Sequence, residues 1–234
     1  MDNNGTDDYL FFSAAELIGF FRNDLRGKDV KTQVRRVMEM AKIFLARKNY
    51  RLEDVYSMRV LLRDGNESAA AAAAISLYFA PERCPVGAVL AGGVSPEVFA
   101  DLEVDFSACR LPKTYIRAAG PLVRAPFAAA VRLDGYAHCA GVRPAAGESA
   151  YDQAVSCLAG LGLILRQAGT GPEHVYALTA GVSERDLPAL EKALAGWGGK
   201  EDMVREADFS ARPCGPWLME LACSAAAPVP PERG

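Results

Sequence analysis

Residues 33–56 read QVRRVMEMAKIFLARKNYRLEDVY, and residues 153–176 read QAVSCLAGLGLILRQAGTGPEHVY. The two stretches align without a gap at an offset of 120, which matches Gln33 with Gln153 and Tyr56 with Tyr176. Apolar residues recur in both at positions i, i+1, i+4, i+7 and i+8, which is the spacing of one face of an amphipathic helix. The chain therefore contains an internal repeat. Each copy has a long helix that leads through a turn into a strand.

The flanking residues extend the repeat in both directions. Apolar strands are predicted at Val55–Leu62 and Val175–Val182, and a second helix follows each of them, over 67–79 and 184–197, the latter with Ser183 as its N-cap. Residues 103–108 (EVDFSA) match residues 220–225 (ELACSA) at an offset of 117, and residues 9–14 (YLFFSA) resemble residues 136–141 (YAHCAG). In the second copy, a hairpin turn at Asp134-Gly135 leads into the opening strand.

These patterns predict two α+β domains, each a mixed sheet covered by two helices. We place the first domain at residues 5–110 and the second at 127–227. The segment 111–126 contains three prolines and is predicted to be a linker, and residues 228–234 are predicted to be a disordered tail.

The composition is that of a globular protein. The chain has 234 residues, of which 50% are hydrophobic and 24% are charged, with a net charge of -3. No apolar run approaches the roughly 20 residues that a transmembrane helix needs, so we expect no membrane association. The first residues lack the basic and apolar segments of a signal peptide, and we expect a cytoplasmic protein.

Several kinds of site are not expected. The six cysteines occur singly, without a C-x-x-C motif, and are predicted to be buried thiols. The two histidines lack ligand spacing, so we expect neither a metal nor a cofactor. The stretch from Arg22 to Asp64 has a net charge of +6. We expect no exposed aromatic residues interleaved along its basic face, as RNA binding would need, so we interpret it as a solvated helix face and expect no nucleic-acid partner.

The order of short motifs resembles the Rid family, also called YjgF. That family has an early strand ending in Ser-Gly, a Gln that opens the long helix, a Leu-x-x-Val strand entry, a Pro-x-Arg motif and a closing strand that begins with Glu. The first half matches with Ser13-Ala14, Gln33, Leu52–Val55, Pro81–Arg83 and Glu103, and the second with Ala140-Gly141, Gln153, Val175 and Glu220. The resemblance covers nearly the whole chain as two copies, and chorismatases are a more distant match.

The resemblance implies the chorismate-mutase-like fold, in which family members assemble as trimers with sites between neighbouring domains. It implies a homo-oligomer here, either a trimer of tandem chains or a closed pair. It also implies a carboxylate-bearing small molecule as substrate. In that family, the Pro-x-Arg arginine holds the carboxylate, the backbone after Ser-Gly holds a polar group, and the first Glu of the closing strand positions or activates water for imine hydrolysis.

Carried over to this chain, these roles give two sets of candidates. The catalytic candidates are Glu220 and Glu103, and the substrate-binding candidates are Arg83, Arg212, Arg143, Gly141, Ser13 and His138. Neither half keeps the whole set, because Ala14 replaces the glycine in the first half and Arg212 lacks the preceding Pro-x in the second. One composite site can still combine an arginine from one half with the glycine and glutamate of the other. For His138, a packed core histidine is the alternative.

Two functions of different class follow from this sequence. The first is a hydrolytic or deaminating enzyme, acting on a carboxylate-bearing metabolite of a specialised pathway, with Glu220 or Glu103 as the acid/base group; a chorismatase-like hydrolase is a related form. The second is a non-catalytic module that uses the same cleft to bind a ligand or a protein, which the altered motifs favour.

Overall fold

The computed structural model describes residues 8–21, 24–95, 100–117, 123, 125–145, 147–198, 203–208 and 211–227. The predicted tail at 228–234 lies outside these residues. The first half contains β1 (Tyr9–Ser13), α1 (Ala14–Phe21), α2 (Val30–Arg47), β2 (Val55–Leu62), α3 (Ser68–Ile75), β3 (Val86–Gly92) and β4 (Leu102–Cys109). The remaining elements are β5 (Thr114–Ile116), β6 (Ala130–Leu133), β7 (Tyr136–Val142), α4 (Ala150–Gln167), β8 (Val175–Val182), α5 (Leu187–Leu194), β9 (Val204–Asp208), β10 (Ala211–Pro213) and β11 (Met219–Ala226).

The two halves share one sheet topology, which confirms the predicted pair of α+β units. The first sheet has the order β1-β4-β2-β3-β10, and the second has the order β5-β6-β7-β11-β8-β9. The segments β1-β4-β2-β3 and β7-β11-β8-β9 correspond strand by strand, and in each the last two strands are parallel. One face of each sheet packs against the helices of its own half, which are α1, α2 and α3 for the first sheet and α4 and α5 for the second, and forms a separate apolar core.

Repeated residues terminate the two long helices in the same way. Asn49 and Gly169 are equivalent at the offset of 120, and both adopt a left-handed backbone with φ of 61° and 73°. The next residue of each turn donates its N–H back to the helix, from Tyr50 to the carbonyl of Leu45 and from Thr170 to that of Leu165. These bonds satisfy carbonyl groups at the helix end and turn the chain toward β2 and β8.

The repeated glutamines fasten each long helix to the start of the closing strand. The Oε1 atom of Gln33 accepts from the backbone N–H of Asp101 at 2.8 Å, just before β4. The Oε1 atom of Gln153 accepts from the N–H of Leu218 at 2.9 Å, just before β11. Both glutamines are buried, so each bond satisfies groups that would otherwise be costly to remove from water.

The structure differs from the sequence-based expectation at three helices. Helix α3 ends at Ile75 rather than at 79. Helix α5 begins at Leu187 rather than 184, because Pro188 occupies the first turn and the Ser183 hydroxyl donates to Asp186 Oδ2 instead of capping the helix. Helix α1 was not expected. Its sequence signal is a capping box, in which the Ser13 hydroxyl accepts from the Glu16 N–H and Glu16 accepts from the Ser13 N–H.

The two halves are joined by strands and by a small apolar cluster. Strand β10 leaves the second half and pairs antiparallel with β3 of the first sheet, and β5 lies within the predicted linker and pairs with β6. Residues of both halves form the cluster: Tyr56, Val86, Cys109, Ala128, Val131, Leu133 and Ala140. The predicted domain boundaries therefore do not coincide with the edges of the sheets at these two strands.

Candidate functional site

A cavity of about 170 Å³ lies between the two halves. Strands β2 and β3 of the first half form one wall, and β7, β8 and β11 of the second half form the other. Most of its lining is apolar or small, and Arg59 and Glu220 are the charged residues among the described residues that line it. A mostly apolar hollow with a few polar groups is the usual form of a ligand site, and this one is smaller than the roughly 300–1,000 Å³ of most such sites.

Glu220 is the most deeply buried charged residue at this cavity. It begins the closing strand β11 after Met219, and only 3% of its surface is exposed. Its Oε2 atom accepts a hydrogen bond from Nε of Arg143 at 2.9 Å. Burial of a carboxylate is costly without such a partner, so the arginine explains how an ionised Glu220 is accommodated.

Arg143 directly follows β7 and is itself largely buried. Its side chain is 14% exposed, and its Nη2 atom is buried without a hydrogen-bond partner among the described residues. A guanidinium has five N–H donors, so the bond to Glu220 uses only part of its capacity. Arg143 is not among the residues that line the cavity, so this donor belongs to the ion pair behind the cavity lining.

Gly141 makes room for the carboxylate of Glu220. A Cβ atom at this position would lie 2.1 Å from Oε1 of Glu220 and 3.0 Å from the Cβ of Ala88. Any side chain larger than hydrogen would displace Glu220 from the cavity wall. The repeat-equivalent residue in the first half is Ala14, which is buried and begins α1.

Comparison of the two repeat copies shows why there is space beside Glu220 in the second half. In the first half, Arg59 lies opposite Asp105, and Leu61 lies opposite Glu103. In the second half, Thr179 lies opposite Ala222, and Gly181 lies opposite Glu220. Three of these four positions carry smaller residues in the second half, and this difference in volume opens the space beside Glu220.

Glu103, the equivalent of Glu220, lies outside this cavity. It is half-buried on β4, and its Oε2 atom accepts from the backbone N–H of Ser95 at 3.3 Å. Nearby Asp105 has its pKa raised, chiefly by burial and in smaller part by Glu103 and Glu16, while Arg59 opposes the shift. In the first half, Glu16 occupies the position of Arg143 and Glu103 the position of Glu220. Two carboxylates therefore stand where the second half has an ion pair.

The structure separates the other predicted residues from the cavity. Ser13 caps α1, and Arg83 is exposed on the Pro81–Arg83 turn, beside a different shallow hollow. Arg212 lies on β10 with its backbone opposite Ala91, and its side chain lies outside the described atoms. Their roles in substrate binding remain predictions, whereas Glu220, Gly141 and Arg143 are brought together.

His138 lies at the junction of the two halves. Its Nδ1 atom is 3.0 Å from the hydroxyl of Ser224, and its ring centroid is 4.9 Å from that of Tyr56 in the first half. Burial lowers the pKa of His138 to about 4, which makes the ring neutral at physiological pH. It is placed to pack the junction rather than to hold an anion.

Other chemistry has little support among the described residues. The six cysteines are buried thiols, as predicted, and burial raises the pKa of Cys84 and of Cys157 to about 12. No group of three or more His, Cys, Asp or Glu side chains within the described ranges is arranged to hold a metal ion. Of the helices described, none is both long enough and apolar enough to span a membrane.

Sequence reasoning missed Arg59, the positive residue of the cavity. Its signal was present, because Arg59 is a charged residue inside the otherwise apolar strand Val55–Leu62. The equivalent residue in the second copy is Thr179. A search for positions at which the two copies differ, rather than agree, would have identified Arg59.

No family model and no curated protein matches this sequence. Among solved structures, a YjgF family protein from Neisseria meningitidis is 20% identical, with a TM-score of 0.44, covering 51% of this chain and 98% of its own. A member of the YjgF/YER057c/UK114 family from Mycobacterium tuberculosis is 18% identical, with a TM-score of 0.43, covering 49% of this chain and 99% of its own.

A solved chorismatase is similar over almost the entire chain. It covers 97% of this chain and 78% of its own length, with a TM-score of 0.61 and 13% identity. At that identity the likeness shows the fold, which is a tandem of two α+β units in one chain. The predicted tandem of two α+β units and its resemblance to chorismatases are therefore confirmed at the level of the fold.

Proposed function

We propose that this protein is a hydrolytic or deaminating enzyme that acts on a small carboxylate-bearing metabolite in the cavity between its two halves. The observation that carries the proposal is the burial of Glu220 in the wall of that cavity, where Arg143 holds it in place. An ion pair with a purely structural role does not need a cavity next to it. A carboxylate that borders a cavity is well placed to exchange protons with a molecule bound there.

In this mechanism, Glu220 acts as the acid/base group. It accepts a proton from a water molecule as that water attacks an electrophilic carbon, such as the carbon of an imine. It then returns the proton to the departing nitrogen or oxygen. Arg143 fixes the orientation of the carboxylate and stabilises its charge, and Gly141 keeps the carboxylate at the cavity wall.

A screen for turnover tests this function. Purified protein is incubated with chorismate and, separately, with imines that an amino acid oxidase generates from several amino acids, and products are followed by NMR. We expect one class to be converted, and we expect Glu220→Gln to remove that conversion. Chorismate is included because the chorismatase that shares this fold is named for it.

The second candidate is a non-catalytic binding module. It is favoured by Ala14 and Glu16, which occupy the first-half positions equivalent to Gly141 and Arg143, so that one of the two sites has lost its ion pair. Calorimetry with a panel of small acids separates the candidates. Binding without turnover of any substrate in the screen supports the module.

We also propose that the protein works as a homo-oligomer, either a trimer of tandem chains or a closed pair. Support comes from β1, which lies at the edge of the first sheet and carries Phe11, 67% exposed, because an edge strand offers backbone groups that can pair with another chain. Native mass spectrometry measures the number of subunits, and a monomer at micromolar concentration would contradict the proposal.

A further inference from the structure

Arg59 supplies the positive charge of the cavity from the half that does not contain Glu220. It lies on β2 of the first half, and Glu220 lies on β11 of the second. The two side chains belong to opposite walls, so a molecule that fills the space meets a cation on one side and a carboxylate on the other.

Asp105 supports Arg59 from the neighbouring strand. The two residues are directly opposite each other in the register of β2 and β4. Their charges also interact: burial raises the pKa of Asp105, and the positive charge of Arg59 lowers it in part. Charged residues opposite each other across two strands restrain one another. A guanidinium has enough donors to contact Asp105 and still bind the two oxygens of an incoming carboxylate.

The repeat indicates that this cation serves the cavity. At the equivalent position the second half has Thr179, and opposite it Ala222 replaces the supporting aspartate. Both Thr179 and Ala222 line the cavity together with Arg59. The second half thus provides space without a cation, and the first half provides the cation across that space.

The remaining walls define the body of the ligand. Val86, Ala88 and Leu90 of β3 face the cavity from one side, and Cys139 and Ala140 face it from the other. Ser57 and Thr179 also line the space and can supply hydroxyl groups. Because most of the lining is nevertheless apolar or small, it favours a ring or a short hydrocarbon chain over a sugar or a phosphate, which needs more hydrogen-bond partners.

We propose that Arg59 binds the carboxylate of the substrate and that the site selects compact acids with an apolar body, whose reactive carbon then lies beside Glu220. This inference rests on the proposed function for the position of the reaction, but the binding role of Arg59 is independent of it. Under this proposal the first half binds the carboxylate of the substrate, and the second half carries the acid/base group.

Calorimetry with benzoate and its neutral analogue benzamide tests the role of Arg59. We expect the wild-type protein to bind benzoate about tenfold more tightly than benzamide, because only the acid forms a charge-assisted bond with the guanidinium. Arg59→Gln is expected to lose this preference by weakening benzoate alone, and Arg59→Lys to retain part of it. The control is Arg63→Gln, because Arg63 directly follows the same strand and its side chain is 51% exposed. This variant is expected to bind as wild type does.

The inference is overturned if the wild-type protein does not prefer benzoate, or if Arg59→Gln keeps the wild-type preference. Circular dichroism of each variant identifies any that fail to fold. If Arg59→Gln does not fold, the comparison of Arg59→Lys with wild type decides, because lysine keeps the positive charge but cannot form the two parallel bonds of a guanidinium. Glu220→Gln distinguishes the two proposals: it is expected to keep the preference for benzoate and to lose turnover. If it turns over substrate normally, the proposed function fails while the role of Arg59 stands.

Discussion

The Nε atom of Arg143 lies 2.9 Å from Oε2 of Glu220, and the two side chains are 14% and 2% exposed. The ion pair links the end of β7 to the start of β11, which are neighbouring strands of the second sheet. Removing one member leaves a charge buried without its partner, whereas removing both leaves only a change in packing. The stability of the protein therefore depends on the pair as a unit.

A double-mutant cycle on this ion pair measures that dependence. We expect Arg143→Met and Glu220→Gln each to lower the free energy of unfolding by about 3 kcal/mol, and the double variant to lose less than the sum. Urea unfolding gives the four values. The exposed Lys42–Glu39 pair is the control, where the coupling is expected to be below about 1 kcal/mol. Additive losses at Arg143 and Glu220 would contradict the ion pair.

Gly141→Ala is expected to impair both stability and activity. The added methyl group would overlap Oε1 of Glu220, so the carboxylate must move, which we expect to cost about 2 kcal/mol of stability. Displacement of the acid/base group is expected to reduce turnover by about a hundredfold. Gly19→Ala in α1 is the control, because a Cβ there meets no heavy atom within 4 Å. The prediction fails if both alanine variants behave alike in thermal unfolding and in the assay.

Stability is expected to fall in mild acid because of His138. Its pKa is lowered to about 4 in the folded protein, whereas an unfolded histidine titrates near 6.5. Between these values the unfolded chain binds more protons, so stability is full above pH about 6.5 and is lost as the pH falls toward about 4. The loss is expected to reach about 3 kcal/mol at the lower pH.

Urea unfolding between pH 4.5 and 7.5 checks this pH dependence. His138→Gln is expected to flatten the curve, because the titrating group is gone. His174→Gln serves as the matched control, since the His174 side chain is 42% exposed, and it is expected to keep the wild-type slope. An unchanged slope in the His138 variant would assign the acid sensitivity to other groups.

The repeated glutamines are expected to be structural. Gln33→Leu removes the bond to the backbone N–H of the half-buried Asp101 and leaves that donor without the buried glutamine, so we expect a loss of about 1 kcal/mol in the free energy of unfolding. Gln167→Leu, at an exposed position near the end of α4, is expected to change stability by less than about 0.5 kcal/mol. Equal losses in the two variants would show that the bond to Asp101 contributes nothing specific.

The fold was largely predictable from the sequence because local signals repeat in it. Gln33 and Gln153 mark the same bond between a long helix and a closing strand, and Asn49 and Gly169 mark the same left-handed turn. The strand Val55–Leu62 was predicted with the bounds that the structure has. Strand β10 was not predicted, because its pairing with β3 joins residues that are distant in sequence, and no local pattern encodes such a contact.

The site was predictable only in part, and for a related reason. Glu220 and Gly141 could be found because they occupy repeated motif positions. Arg59 could not be found in this way, because its role depends on the second half lying across the cavity from it. Ser13 shows the opposite case, since its motif position is real but its hydroxyl caps α1. A short motif gives the position of a residue in the chain, while the packing of the two halves decides what that residue faces.

The most direct measurement of the central claim is the rate constant of the chemical step in Glu220→Gln, measured in single turnover with the substrate that the screen identifies. We predict a fall of about a hundredfold or more at unchanged substrate affinity, with Glu191→Gln on the exposed face of α5 keeping the wild-type rate. A Glu220→Gln variant that is folded and reacts at the wild-type rate would contradict the claim that this carboxylate performs the chemistry.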